Sequence, residues 1–556
     1  MDTFYKLANY KNKDKAFFLF VLKTLIIMIR NYTILLLILF SIFSNKSSAQ
    51  DSYWVFFSDK KGVEFNPYEY FDTKAIERRI KNGLPINDPS DWPLNQSYVN
   101  TLSHMVDSIS GQTRWFNALA VIANPEQIKQ IQELDFVKEV RMMKQYAVLA
   151  SEKGCVSSYD NNNLRTRQLE ILGLSDFRKA GIDGKGVRIA VFDGGFPAVN
   201  TILALEQIRN EKRLIGTWDF TKNKEFVYYS VSHGTMVLTN IGGLSIIDND
   251  SIQFGLATGA EFLLAKTEVI REPYSEEKNW LMAVEWADKN GADIINSSLG
   301  YTRDRYFESD MDGRKSLVSQ AGNMAARKGI LVVNAIGNDG DTKWETMGAP
   351  ADADSVLAVG GIDPVSNFHI SFSSYGPSAD GRLKPNVCAF GKTIVSNKKD
   401  ALVNVQGTSF ASPLIAGFAA CAMQANPNMK VMDLFHLIEQ SGHLYPYYDY
   451  AHGYGIPQAE YVLTKQRKEV KKNFEVEYKG LFLEFLILDF NETDIGSSNL
   501  MYLNIEKEDG TLINYQVINV NQKKFVVESL YPSLRDDLKK ITIYYKGYIE
   551  EIPLNN

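Results

Sequence analysis

The sequence predicts an α/β protein built on a doubly wound, mostly parallel sheet, with a small α+β domain before it and a small all-β domain after it. Three observations predict this. Between about residues 166 and 465, continuous apolar runs alternate with helical patterns, as parallel strands buried on both faces and joined by crossover helices do. Residues 50–150 hold fewer, shorter elements of both kinds. From 466 to 556 only strand-like runs remain, separated by turn signals such as Glu508-Asp509-Gly510.

A chain of 556 residues exceeds one typical domain. Its hydrophobic content of 45% and charged content of 23% suit sizeable soluble cores. A net charge of −6 gives no basis for nucleic-acid binding or a polybasic membrane patch. Three cysteines, Cys155, Cys388 and Cys421, exclude a disulfide-dense scaffold. None has the spacing of a zinc site, so no metal is assigned and ordinary buried thiols are expected.

In chain order, two apolar runs come first, Ala16–Ile29 and Tyr32–Phe43. Each is short for a bilayer span, which favours a signal peptide. Met28-Ile29-Arg30-Asn31, an apolar stretch and Ser47-Ser48-Ala49-Gln50 read as a basic start, an apolar middle and a small-residue cleavage site. Residues 1–49 are expected to be a signal peptide, with Met28 as a candidate start and cleavage after Ala49. The mature protein would then be secreted, periplasmic or at the cell surface, with no stable membrane span. The alternative is one uncleaved anchor made of both runs.

Within 50–150, Tyr53–Phe57 and Trp115–Ala123 read as strands and Thr73–Lys81 as a helix. Asn124-Pro125-Glu126 is a cap, a proline at N1 and an acid in the first turn, opening a helix to Leu134. Phe136–Met142 returns as a strand, completing a split βαβ pattern. Residues 151–165 are polar and read as an exposed linker, with a processing site as one reading and a plain domain linker as the other. In 166–465, Val187–Phe192 and Ile330–Val333 are buried strands, and Leu281–Asn290, Ser316–Lys328 and Leu414–Gln424 are helices. Chemistry in such a fold sits at strand C-termini. In the tail, Phe474–Tyr478, Leu481–Leu488, Leu500–Ile505, Thr511–Val520, Phe525–Glu528 and Ile541–Tyr548 are strand-like.

Four residues of the central domain stand at glycine-flanked element ends. Ser409, in Gly407-Thr408-Ser409-Phe410-Ala411-Ser412-Pro413, sits where a turn opens a helix, and free N–H groups there favour a developing oxyanion. Pro413 is expected in the first turn, where it removes no helix hydrogen bond. Asp193 ends a buried strand before Gly194-Gly195, His233 heads a helix in Ser232-His233-Gly234-Thr235, and Asn338 follows a strand in Gly337-Asn338-Asp339-Gly340. Alone, Ser409 reads as a turn capping a helix, Asp193 and Asn338 as turn residues, and His233 as a surface or core histidine. Together they place acid, base and nucleophile in the order Asp193, His233, Ser409, the order found in subtilisin.

The stretch 166–465 thus resembles the subtilisin-like serine proteases, and 51–145 more loosely resembles their inhibitory propeptide. The resemblance implies a serine endopeptidase with an Asp193–His233–Ser409 triad and Asn338 as oxyanion donor. It implies that Ser298, Leu299 and Gly300 bind an extended peptide or protein substrate. Asp339 would then lie at the edge of the S1 pocket and favour a basic side chain. The chain departs from the pattern twice. Gly194 replaces a Ser or Thr, which removes a hydroxyl from the Asp193 site, and Ile336 replaces an Ala, which would crowd S1. No cofactor is expected. Structural calcium is frequent in the family, but its ligands are not assignable here. A monomer is expected. The competing readings are an idle subtilase fold used for binding or adhesion through its β tail, and another serine hydrolase such as an esterase. The Ser409 context lacks the G-x-S-x-G elbow of the latter.

Overall fold

The computed structural model describes residues 51–143 and 161–554, apart from 248–249, 270–274, 304, 480–481, 492–498 and 529–537, together with a few residues between 20 and 32. The signal-peptide features around the cleavage site, the linker up to residue 160 and Cys155 lie outside the described residues. No described helix is long and apolar enough to cross a membrane.

The N-terminal unit is a four-stranded antiparallel sheet. Its strands are β1 (Asp51–Phe57), β2 (Ser108–Thr113), β3 (Ala118–Ala123) and β4 (Val137–Met142), in the order β2-β3-β1-β4. Helix α1 (Thr73–Asn82) follows β1, and α2 (Pro125–Gln132) follows β3 behind an Asn124–Gln127 capping box. Successive side chains of a strand face opposite ways. Tyr53, Val55 and Phe57 enter the unit's own core with Leu119 and Val121. Trp54 and Phe56, with Trp115, instead join the core of the central domain. Both faces of β1 are therefore buried, which explains why it reads as a continuous apolar run.

The central domain is built on a sheet of seven strands. They are β5 (Arg188–Asp193), β6 (Leu214–Asp219), β7 (Glu261–Lys266), β8 (Ile294–Ser297), β9 (Leu331–Ala335), β10 (Val356–Ile362) and β11 (Val387–Phe390). All paired neighbours are parallel, in the order β11-β10-β9-β8-β5-β7-β6. Its helices include α3 (Asn161–Glu170), α4 (His233–Gly242), α5 (Ser275–Lys289), α6 (Leu317–Arg327) and α7 (Thr408–Ala425). Helix α7 is buried along nearly its whole length. Helix α3 corrects the linker reading: residues 161–165 are helical. Three consecutive asparagines are poor helix formers, and packing of Leu164, Leu169 and Leu172 into the core overrides them.

The N-terminal unit docks on α5 and on the end of α6 through buried charge. Arg79 Nη2 lies 2.8 Å from Asp288 Oδ2 and 3.2 Å from Asp91 Oδ2, and Arg78 also pairs with Asp288. Lys328 Nζ is 3.0 Å from both Asp88 and Asp91. Glu285 of α5 accepts the N–H groups of Arg114 (2.9 Å) and Trp115 (3.2 Å) and the Thr113 hydroxyl.

The tail packs a three-stranded sheet, β12 (Phe474–Tyr478), β13 (Phe482–Ile487) and β16 (Lys524–Glu528), on a four-stranded one. The second holds β14 (Leu500–Lys507), β15 (Leu512–Asn519), β17 (Leu538–Tyr545) and a strand the sequence reading missed, β18 (Tyr548–Pro553). Phe474, Phe485, Met501, Leu503 and Ile543 form their shared core. A tyrosine-rich segment of the central domain seats this tail. Tyr447 packs with Tyr502 and Tyr544, and Tyr448 and Tyr450 pack with Leu512. Tyr447 donates to Leu503 O (3.1 Å) and Asn504 Nδ2 donates to Tyr448 O (2.6 Å).

Candidate active site

Asp193 is the last residue of β5 and is fully buried. Its Oδ1 accepts the Gly194 N–H at 2.7 Å, and its Oδ2 lies 2.8 Å from His233 Nδ1. His233 is the first residue of α4. The glycine after it permits the approach: a Cβ on Gly234 would fall 2.5 Å from Gly195 O and 2.8 Å from Asp193 Cβ. Gly194 is similarly constrained, since a Cβ there would meet Val231 Cγ2 at 2.7 Å. The hydroxyl that Gly194 lacks leaves Asp193 satisfied, because the backbone N–H holds the free carboxylate oxygen.

Ser409 is the second residue of α7, which starts at Thr408 rather than at Leu414. Gly407 precedes it at φ 140°, a conformation glycine adopts readily. Pro413 therefore lies inside the helix, not in its first turn, and deprives Ser409 O of its helical donor. Ser298, immediately after β8, supplies the replacement: its Oγ donates to Ser409 O at 2.9 Å. In return the Ser409 hydroxyl donates to Ser298 O at 3.2 Å. Ser409 stays half-exposed while Thr408 and Phe410 beside it are buried. The Phe410 ring lies 5.3 Å from the His233 ring, which brings the histidine alongside the Ser409 turn.

Asn338 is exposed on the other side of that turn. Its Oδ1 accepts from Thr408 N (2.8 Å) and Thr408 Oγ1 (2.9 Å), so the amide's orientation is set and Nδ2 remains as the donor. Gly337 has φ 131°, and a Cβ on it would meet Ser374 Oγ at 2.7 Å. Asp339 lies 4.0 Å from Arg303 Nη1, which offsets its charge. Ile336 is fully buried in the core. Leu299 is half-buried and Gly300 exposed, on the segment that continues β8 past Ser298.

The structure thus brings Asp193 and His233 into contact and sets Ser298, Ser409 and Asn338 around one turn. Residues 184–455 match the subtilase family, Peptidase S8, and residues 52–157 match the Peptidase S8 propeptide domain of Bacteroidota. Subtilisin DY of Bacillus licheniformis is 32% identical over 252 residues, covering 45% of this chain and 81% of the relative. The chain belongs to the subtilase family. Subtilisin E of Bacillus subtilis (strain 168) is 26% identical over 344 residues, covering 60% of this chain and 78% of that protein. Among solved structures, fervidolysin from Fervidobacterium pennivorans, a keratinolytic enzyme related to subtilisin, shares the fold. Its TM-score is 0.52 at 15% identity, over 89% of this chain and 70% of that one.

This subtilase is a subtilisin-like serine peptidase with an N-terminal propeptide domain. Two roles escaped sequence reasoning. Thr408 orients Asn338, and its place before Ser409 in the motif was the available signal. Ser298 completes the Ser409 carbonyl, a need that only Pro413 announces. Among the described residues, no group of three or more His, Cys, Asp or Glu side chains is placed to hold a metal ion.

Proposed function

We propose that this subtilase is a secreted serine endopeptidase that hydrolyses peptide bonds with an Asp193–His233–Ser409 triad through an acyl-enzyme. The observation that carries the reading is the 2.8 Å Asp193–His233 bond beside a half-exposed serine at a helix N-terminus. An extended peptide lies along Ser298–Gly300 as an added strand. The Ser409 hydroxyl turns from Ser298 O to His233, which takes its proton as the oxygen attacks the carbonyl. Asp193 fixes the imidazole and stabilises the imidazolium. Asn338 Nδ2 and the Ser409 N–H bind the oxyanion. His233 then protonates the leaving amine, and water repeats the cycle on the ester. Asp339 favours a basic side chain at the adjoining subsite only so far as the substrate displaces Arg303. The Met28–Gln50 pattern supports export, and the docked propeptide domain supports synthesis as a zymogen.

The test is intact mass and casein cleavage of a chain lacking residues 1–49, beside its Ser409→Ala variant. The expected outcome is that the parent loses its N-terminal domain and digests casein while the variant stays whole and inert. Equal behaviour of the two would overturn the reading.

A further inference from the structure

Two segments leave the central sheet on either side of Asp193. The first follows β7, where Thr267 N donates to Asp193 O at 3.0 Å. The second is Ser298–Tyr301, which follows β8. Their side chains meet: Tyr301 OH donates to Glu268 Oε1 at 2.9 Å. Glu268 is beside the triad, its Cβ 3.8 Å from the place a Cβ would take on Gly194.

Behind this bridge stands a closed cluster. Glu276, in the first turn of α5, accepts Val269 N at 2.9 Å and pairs with Arg305 Nη2 at 3.2 Å. Arg305 is 7% exposed, lies 4.5 Å from the Tyr301 ring centroid, and reaches Glu277 at 3.4 Å. Tyr306 OH donates to the same Glu277 at 2.6 Å. Glu276 thus holds the residue next to Glu268, and Arg305 and Tyr301 tie the two glutamates into one cluster. Two carboxyl groups gathered in one buried site favour holding a single proton over carrying two charges.

We propose that Glu268, Glu276, Tyr301 and Arg305 are positioning residues, a clamp that sets the spacing of the two cleft walls and is closed by the proton shared between the glutamates. The proposal rests on the peptidase reading of the cleft. Burial raises both carboxyl groups, and with Glu268 beside it Glu276 is pushed up to about 9. Tyr301 and Tyr306 are raised by burial and neighbouring carboxyls, Glu277 is raised by burial, and the carboxyls around Arg305 hold it protonated. Lys266, lowered by burial, donates to Glu268 O, with Asp219 and Lys222 within range of Lys266 and Asp352 within range of Glu277. When the shared proton leaves, two adjacent carboxylates repel. The walls part, and peptide binding weakens while the reacting atoms keep their places.

The experiment is kcat and KM on one peptide from about pH 7 to about pH 10, for the parent, Glu276→Gln and Tyr301→Phe, with an expected rise in parent KM approaching tenfold per pH unit once the proton is lost. Parent kcat should stay flat. Glutamine at 276 removes the titrating group, so its KM should not rise. Tyr301→Phe should raise KM several-fold at every pH. A rise that persists in Glu276→Gln, or a loss confined to kcat, overturns the clamp.

A second readout needs no activity. A carboxyl raised by folding contributes stability that is present below its unfolded value and lost as pH rises through the folded one. In Ser409→Ala protein, the melting temperature should therefore fall between about pH 5 and about pH 9, and fall less with Glu276→Gln added. Equal slopes overturn the shared proton. A parent inactive at all pH values, with the melting difference intact, overturns the cleft role and the peptidase reading but not the proton.

Discussion

Asn338 Nδ2 is aimed by two bonds from Thr408 to its amide oxygen. Asn338→Ala should therefore lower kcat about 10²–10³-fold with little change in KM, the magnitude known for the corresponding amide in subtilisin itself. Thr408→Val keeps the backbone bond and loses the hydroxyl one, so a smaller kcat loss should appear in the same assay. Ser298 and Pro413 make a second pair. Ser298→Ala leaves Ser409 O without a donor and should destabilise the fold by about 1–3 kcal/mol. Pro413→Ala restores a helical N–H to that carbonyl, so the double variant should recover part of the loss in denaturant unfolding. Additive losses would show that the two residues do not share the carbonyl.

At the scale of elements, β5 and β9 were legible because they are apolar on both faces and lead into glycine-flanked polar residues, Asp193 at the end of β5 and Asn338 just after β9. The start of α7 was not. Gly-Thr-Ser-Phe reads as a turn, and Pro413 reads as a first-turn residue, until Ser298 is seen to satisfy the carbonyl that proline orphans. Strand β2, Ser-Ile-Ser-Gly-Gln-Thr, carries almost no apolar signal and is held by β3 and by Lys278 Nζ, which donates to Ser110 O at 2.9 Å. The Arg79–Asp288 pair joins residues more than two hundred positions apart, which no local pattern reports. Helix α5 meets the propeptide domain through Glu285, whose carboxyl burial pushes from 4.5 to about 7. A released domain would return it towards its ordinary value. The hold on the propeptide is then full below the free value and weakens as pH rises through the bound one. Dissociation of the cleaved domain should be faster at pH 8 than at pH 5, and Glu285→Gln should flatten the difference.

At the scale of the whole molecule, three bodies share their cores in unlike ways. The propeptide domain meets the central domain through aromatic packing and buried ion pairs, and removing one member of such a pair costs about 3–5 kcal/mol. The tail meets it through tyrosines whose hydroxyls bond across the seam to main-chain groups. Between tail and central domain, residues 464–472 are exposed and carry Lys468, Lys471 and Lys472. Trypsin should cut there, and the two fragments should still elute together from a sizing column. A chain stopped at 465 should instead be poorly soluble, because Tyr447, Tyr448 and Tyr450 would face water. The seam makes the tail a subunit in all but its covalent bond: its presence is a matter of affinity, and cutting the peptide that tethers it changes how the molecule is numbered in fragments without changing what it is.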